Sequence, residues 1–295
     1  SGVFRGYTTG APIAMIIWNA DHDSRAYEQL KTKMRPGHSD YPALIKYKKF
    51  NDFRGGGRFS GRLTATHVMG GAIARKLLKT TLGIETNSYT LQVGKIRMSK
   101  VTQQMMKMIY SNEVRCPDKN TAKKMRDIIL AARKKGDSLG GVIESVTTNL
   151  PVGLGEPIFG SLESDLGKAL FSIPAVKGIE FGSGFGGAEA FGSQNNDPYM
   201  VKNGKIVTKT NNAGGILGGL SNGMPIVLRI AFKPASSILK KQTTIDIKTK
   251  KPTSLQVTGR HDPCVVPRAP PVVDSLVSLV LADHALQGGF IKPVL

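Results

Sequence analysis

The sequence holds only two cysteines and one tryptophan. Cys116 and Cys264 form neither a CxxC pair nor a Cys/His pattern with zinc spacing. A disulfide framework and a structural zinc site are therefore excluded, no metal ligand set is predicted, and reduced thiols in the cytoplasm are the simpler reading. No apolar run reaches the ~18 residues that a membrane span needs. The nearest candidate, Val272 to Leu286, is interrupted by Asp274, Asp283 and His284, and reads as a buried-face helix ended by Gly288 and Gly289. Aromatic residues make up 6% of the chain, too few to interleave with the lysines as a surface for single-stranded nucleic acid does. Acidic residues are also scarce: 41 Lys+Arg against 21 Asp+Glu leave a net charge of +20. That balance predicts an anionic partner or substrate, with nucleic acid as one alternative class and much of the excess spread over solvated surface. There is no secretory signal and no initiator methionine, and Ser1 opens in the middle of a pattern, so a segment is expected to be missing from the front.

What is present is globular: 40% hydrophobic and 21% charged residues suit a packed chain of one large or two modest domains. Ala11 to Asn19 reads as a buried strand, and Asp21 to Lys33 as helix or loop. A helix runs from Arg62 with Ala65, Met69, Ala72, Ile73 and Leu77 on one side; Gly94 to Met98 is a candidate strand, and Val101 to Tyr110 a Met-rich helix. Asn120 to Lys135 and Ser161 to Phe171 are clear helices. Gly140 to Pro151, Gly178 to Phe181 and Met224 to Phe232 read as strands. No repeat of fixed period is visible.

The chemistry-bearing stretch is Arg54 to Ala65, RGGGRFSGRLTA. Three glycines, arginines at 54, 58 and 62, and the hydroxyls of Ser60 and Thr64 precede the helix. Free N–H groups and guanidinium charge converge there in a way that suits an anion; an ordinary turn with a solvated basic face fits equally well. Upstream, Pro36 and Gly37 force a turn that carries His38 three residues after Arg35, either a general acid beside an anion or a surface histidine. Lys233-Pro-Ala-Ser-Ser237 offers an amine and two hydroxyls for a phosphate, or simply ends a strand. Gly259-Arg260-His261-Asp262 sets cation, imidazole and carboxylate side by side, as a reactive cluster or a structural ion pair. Gly182 to Gly187 satisfies GxGxxG, but no long helix and no acidic ribose-binding residue follow, which excludes a dinucleotide fold. The loop at Gly55 to Arg62 lacks the Gly-Lys-Ser/Thr ending of a P-loop.

Seven segments, in order and over nearly the whole chain, resemble the chorismate synthase family: TTGAPIAMIIWN, RPGHSDY, DFRGGGRFSGRLTA, SIPAVKGIEFGSGF, NNAGGILGGLSNGMPI, FKPASSI, and GRHDPCVVPRAPPVVDSLVSLVLAD. The resemblance implies a single domain over 1–295 with an α+β fold, a helical centre between antiparallel sheets with internal pseudo-symmetry, assembled as a cytoplasmic homotetramer. It implies a lyase of the shikimate pathway that eliminates phosphate from 5-enolpyruvylshikimate 3-phosphate to give chorismate. The implied cofactor is reduced FMN, with NADPH as reductant where an enzyme reduces its own flavin. No nucleic acid or membrane partner is implied.

Carried over residue by residue, His38 matches the family histidine that hands a proton to the reduced flavin, and Asp262 the carboxylate that manages the proton at flavin N5. Arg35, Arg62 and Arg260 match arginines that clamp the substrate or face the flavin. Flavin contacts fall on Arg58, Phe59, Ser60, Ala175, Gly218, Lys233, Pro234, Ala235, Ser236, Ser237 and Arg260. Phe59, Leu63 and Pro174 depart from the serine, glutamate and asparagine of many relatives. The segment with Gly-Glu-Ser-His-Gly, whose histidine protonates the leaving phosphate, has no counterpart here. The alternatives are an inactive fragment of such an enzyme or a basic nucleic-acid-binding module.

Overall fold

The computed structural model describes residues 1–19, 25–99, 101–259 and 261–292. Strict alternation makes the central sheet. Along β3 (Gly141–Thr148) and β5 (Ile226–Phe232) every second side chain is buried and the intervening ones are half-exposed. With β1 (Glu85–Val93), β2 (Ile96–Arg97) and β4 (Val176–Phe181) they form an antiparallel sheet in the order β2-β1-β3-β5-β4. A row of directly opposed residues crosses four strands on its outer face: Tyr89, Glu144, Arg229 and Glu180. The Tyr89 hydroxyl donates to Glu144, and Arg229 donates to Glu180 and to the Gly182 carbonyl. Burial and the neighbouring Glu144 push the Tyr89 hydroxyl up, keeping it a neutral donor. A slip of one residue would dissolve the whole row, so it fixes register.

The inner face packs on helices. These are α1 (Thr64–Leu82), α2 (Lys119–Lys134, capped by Asp118, whose carboxylate accepts from Thr121 N–H at 2.7 Å), α3 (Leu162–Phe171, capped by Ser161) and α4 (Pro270–Gln287). Helix α4 is buried on nearly every side. It touches α1, α3, β1, β3 and the strand Val152–Gly155 of a second, three-stranded antiparallel sheet. The expected α+β arrangement, helices centred between antiparallel sheets, is what forms. Helices α1 and α4 approach closely at Gly71, where an added Cβ would lie 2.1 Å from the Cβ of Ser275. Two further strands, Gln242–Asp246 and Lys251–Leu255, make a hairpin over a small separate core of Leu30, Leu255 and Val257.

Several expectations are corrected. Ala11 to Asn19 is not a buried strand: it runs without regular structure, with Ile16 72% and Trp18 84% exposed, because no neighbour among the described residues pairs its backbone. Helix α1 buries Gly71, Ala74 and Leu78 rather than the stripe from Ala65 to Leu77, since the Gly71 contact sets which side faces α4. The strand expected at Gly94 to Met98 shrinks to Ile96–Arg97, the short arm of a hairpin whose long arm, β1, is too polar for its sequence to announce itself. Val101 to Tyr110 holds a single helical turn, Gln103–Met106, and a 3-10 turn at Ile109–Ser111. After β4 the GxGxxG stretch enters a 3-10 turn, Gly184–Glu189, and a Cβ on Gly182 would lie 1.9 Å from the Asn212 carbonyl oxygen. Those glycines serve backbone packing.

Between α4 and β1 lies a polar seam of Ser88, Thr90, Ser145, Ser278 and Asp274, all buried. Burial pushes the Asp274 carboxyl up to about 7 against the pull of Arg75 and Arg115. Arg75 stands 3.5 Å away on α1. The folded state then binds a proton that the unfolded chain releases near the ordinary aspartate value, so this group's contribution is fullest in acid and is lost as pH rises through about 7. Asp274→Asn should therefore flatten the fall in melting temperature between about pH 5 and about pH 8, and an unchanged slope would contradict the assignment. Gly71→Ala should cost roughly 1–3 kcal/mol in urea unfolding, as overpacking at a helix crossing does.

Candidate active site

Three stretches far apart in sequence meet at one turn. Residues Arg35 to Asp40 hang on the small hairpin: Thr244 Oγ1 donates to the Met34 carbonyl at 2.5 Å, and Lys33 pairs with Asp246. Gly37, at φ +70°, turns its carbonyl outward, where it accepts from Lys233 Nζ and from Ser236 Oγ at 2.7 Å. Lys233 also donates to Ser236 Oγ at 3.1 Å, and its backbone N–H is held by the Ala175 carbonyl at 2.9 Å. Arg35 Nη1 donates to Ser237 Oγ at 3.1 Å. The Ala235 carbonyl accepts from Ser138 Oγ at 2.7 Å. The segment that ends β5 is thus tied on one side to the histidine turn and on the other to the start of β3 and β4.

The glycine stretch closes the third side. It folds as two 3-10 turns, Arg54–Phe59 and Gly61–Leu63, that lead into α1. An added Cβ on Gly56 would stand 4.0 Å from His38 Nε2 and 3.8 Å from the Ser60 Cβ, so the loop's backbone faces the imidazole. Ser60 Oγ accepts from Arg62 N–H at 3.3 Å. Arg58 and Arg62 are exposed, as are Phe59 and Leu63, whereas Arg54 is engaged by Asp52 at 2.9 Å.

Within the turn, Arg35 is buried and forks onto Asp40, with Nε 2.8 Å from Oδ2 and Nη2 2.7 Å from Oδ1. His38 Nδ1 lies 2.6 Å from Asp40 Oδ1. Burial alone would raise the Asp40 carboxyl, but the hydrogen bonds from Arg35 and His38 outweigh it and hold the group far below the usual carboxylate range.

Asp262 reaches the same neighbourhood from the other end of the chain. The Pro263 carbonyl accepts from Leu139 N–H at 2.7 Å, which seats Asp262 beside Ser237 and Leu239 on the wall of a small cleft. Its carboxylate pairs with Arg268 at 3.0 Å. Arg260 lies outside the described residues. Ala175 sits just past α3 at φ +74°, and Pro174 beside it is exposed. Gly218 occupies the turn between Ile216–Leu217 and Leu220–Asn222, next to the start of α3. Asp40 was not singled out from the sequence. Its signal was an acid two residues after a turn histidine and five after an arginine.

The profile of the chorismate synthase family matches residues 1–286. The chain belongs to the chorismate synthase family. A protein of Dehalococcoides mccartyi named chorismate synthase is 52% identical over 296 residues, covering all of this chain and 81% of that protein. Its namesake in Pyrococcus abyssi is 51% identical over 286 residues, 97% of this chain and 80% of its own length. A crystal structure of chorismate synthase superposes with a TM-score of 0.76 at 30% identity, over 98% of this chain and 77% of that one. Chorismate synthases are lyases of aromatic amino acid biosynthesis. No helix of the described residues is long and apolar enough to cross a membrane.

The donor set suits a phosphorylated flavin and a polyanionic substrate. Lys233 has three N–H donors, two of them engaged; Ser236 and Ser237 lie on its own segment, and the glycine turn that faces His38 carries Ser60 and the exposed Arg58 and Arg62. Since Ser236–Gly37 and Arg35–Ser237 also link the histidine turn to the segment after β5, Lys233→Met should leave the melting temperature within about 3 °C yet weaken inorganic pyrophosphate binding at least about tenfold. Unchanged binding would remove this cluster as an anion site.

Proposed function

We propose that the site around His38 is where this chain eliminates phosphate from 5-enolpyruvylshikimate 3-phosphate. The observation that carries the reading is the convergence of His38, the glycine turns at 54–60 and the Lys233–Ser237 segment at one turn, with Asp262 on a small cleft that Ser237 also lines. In the overall reaction the C3–O bond to phosphate breaks with its electron pair, the C6 proton is lost, and a second ring double bond forms. Reduced FMN, when bound, supplies electron density to the substrate and a basic N5. Arg58, Arg62 and Lys233 neutralise the anions of flavin and substrate. Ser60, Ser236 and Ser237 fix their orientation by hydrogen bonds. His38 offers Nε2 for proton exchange. Asp262, paired with Arg268 at 3.0 Å, offers a carboxylate for proton transfer from the neighbouring cleft.

The same reading extends to a cytoplasmic homotetramer supplied with reduced flavin, with NADPH as the source of electrons. The two-stranded hairpin Tyr199–Lys202 and Lys205–Thr208, with Tyr199, Val201 and Ile206 exposed, is consistent with burial between subunits.

Anaerobic turnover with reduced FMN tests the activity: chorismate and phosphate should appear in equal amounts, and neither with oxidised FMN. His38→Ala and Asp262→Asn should each lower kcat by about 10²–10⁴-fold, the range that general acid–base steps supply. Full activity in both variants would remove these assignments.

A further inference from the structure

We propose that Asp40 is a positioning residue that fixes the imidazole of His38 with its proton on Nδ1, and that Arg35 serves this pair instead of clamping the substrate. The inference rests on His38 being the proton-exchanging group of the reading above.

The hydrogen-bond inventory leads there. Arg35 has five side-chain N–H donors and no acceptor. Nε goes to Asp40 Oδ2 at 2.8 Å, Nη2 to Asp40 Oδ1 at 2.7 Å, and Nη1 to Ser237 Oγ at 3.1 Å. The Arg35 backbone N–H adds a further bond to Oδ2 at 3.0 Å. The side chain is 5% exposed, and three of its five N–H groups, including both that face Asp40, are engaged by protein acceptors. Releasing it to hold a substrate would strand a buried carboxylate without its counter-ion.

Asp40 in turn settles the tautomer. Held ionised by Arg35, it can only accept. Its Oδ1 lies 2.6 Å from His38 Nδ1, a distance that requires a proton between them. Arg35 Nη2 is also 3.0 Å from Nδ1, but it cannot donate to a nitrogen that already carries a proton, and one of its two hydrogens goes to Oδ1. The lone pair of neutral His38 is therefore on Nε2, the nitrogen that faces the glycine turn at Gly56. Because the Arg35 and Asp40 charges cancel, the imidazole is oriented without a net charge beside it. Ser237 completes the frame by linking it to the wall that carries Asp262.

Nitrogen-resolved NMR of the labelled imidazole tests the tautomer directly, with His38→Ala identifying the signal. The native protein should show neutral His38 protonated at Nδ1, and Asp40→Asn should show a mixture. In reduced-FMN turnover, Asp40→Asn and Arg35→Lys should each lower kcat by roughly 10–10²-fold while KM for the phosphorylated substrate changes by less than about threefold. Asp40→Glu should recover part of the loss. A native His38 protonated at Nε2 would overturn the proposal, as would Arg35→Lys raising KM about tenfold with kcat intact. Absence of any chorismate from the native protein would instead defeat the reading of its activity, and the NMR result would still decide the Asp40–His38 arrangement.

Discussion

The carbonyl of Gly37 is the point on which the site depends. It takes hydrogen bonds from Lys233 and Ser236, residues 196 and 199 positions away, and it can do so because a left-handed residue turns the peptide outward between Arg35 and His38. Closing so long a loop costs chain entropy that one neutral hydrogen bond would not offset. Here the acceptor is shared, the ammonium strengthens its bond, and Arg35 adds a parallel link to Ser237. Neither end would hold the other if β5 were not already fixed in the sheet. The cross-strand row from Tyr89 to Glu180 fixes β5 in register, and the site inherits that register.

Buried polar groups are handled differently in the core and at the site. In the seam under α4, Asp274 has a cation only at 3.5 Å, and burial raises its carboxyl toward neutrality. At the histidine turn, Asp40 has a bidentate arginine and an imidazole in contact, and it stays ionised. The same residue type is thus pushed toward protonation in one place and held ionised in the other, and contact geometry decides which. Only the second can orient a histidine, because a protonated carboxyl could present a donor where an acceptor is needed.

How much of this was legible follows from what each pattern encodes. The strands at 141–148 and 226–232 and the helices at 119–134, 162–171 and 270–287 carry clean alternation, caps or long apolar faces, and they were readable within a few residues. The long strand Glu85–Val93 was not, because Thr86, Ser88 and Thr90 fill its inner face and mimic a loop. The run from Ala11 to Asn19 misled for the opposite reason: apolar composition marks a wish for burial, and pairing partners decide whether burial happens. At the site, glycine turns with arginine and hydroxyl neighbours announced an anion. Arg35 looked like one more clamp because sequence gives charge and not direction. Its fork turns inward to Asp40, a contact set by the fold of the turn.

The position of that turn also bears on its dynamics. Among the described residues, 30–35 rest on a small cluster with three buried side chains, Leu30, Leu255 and Val257, while β5 belongs to a cluster that runs through the central and the three-stranded sheet and all four long helices. Segments with few buried apolar contacts open locally at lower free energy than the main core. The histidine turn therefore stands on the weaker support and is held to the stronger one by polar contacts from Lys233, Ser236 and Arg35. Such contacts can break and re-form as anions enter and leave, since an incoming phosphate competes for the same N–H donors. An apolar junction at this place would give comparable rigidity, but it could not exchange its partners with a charged ligand.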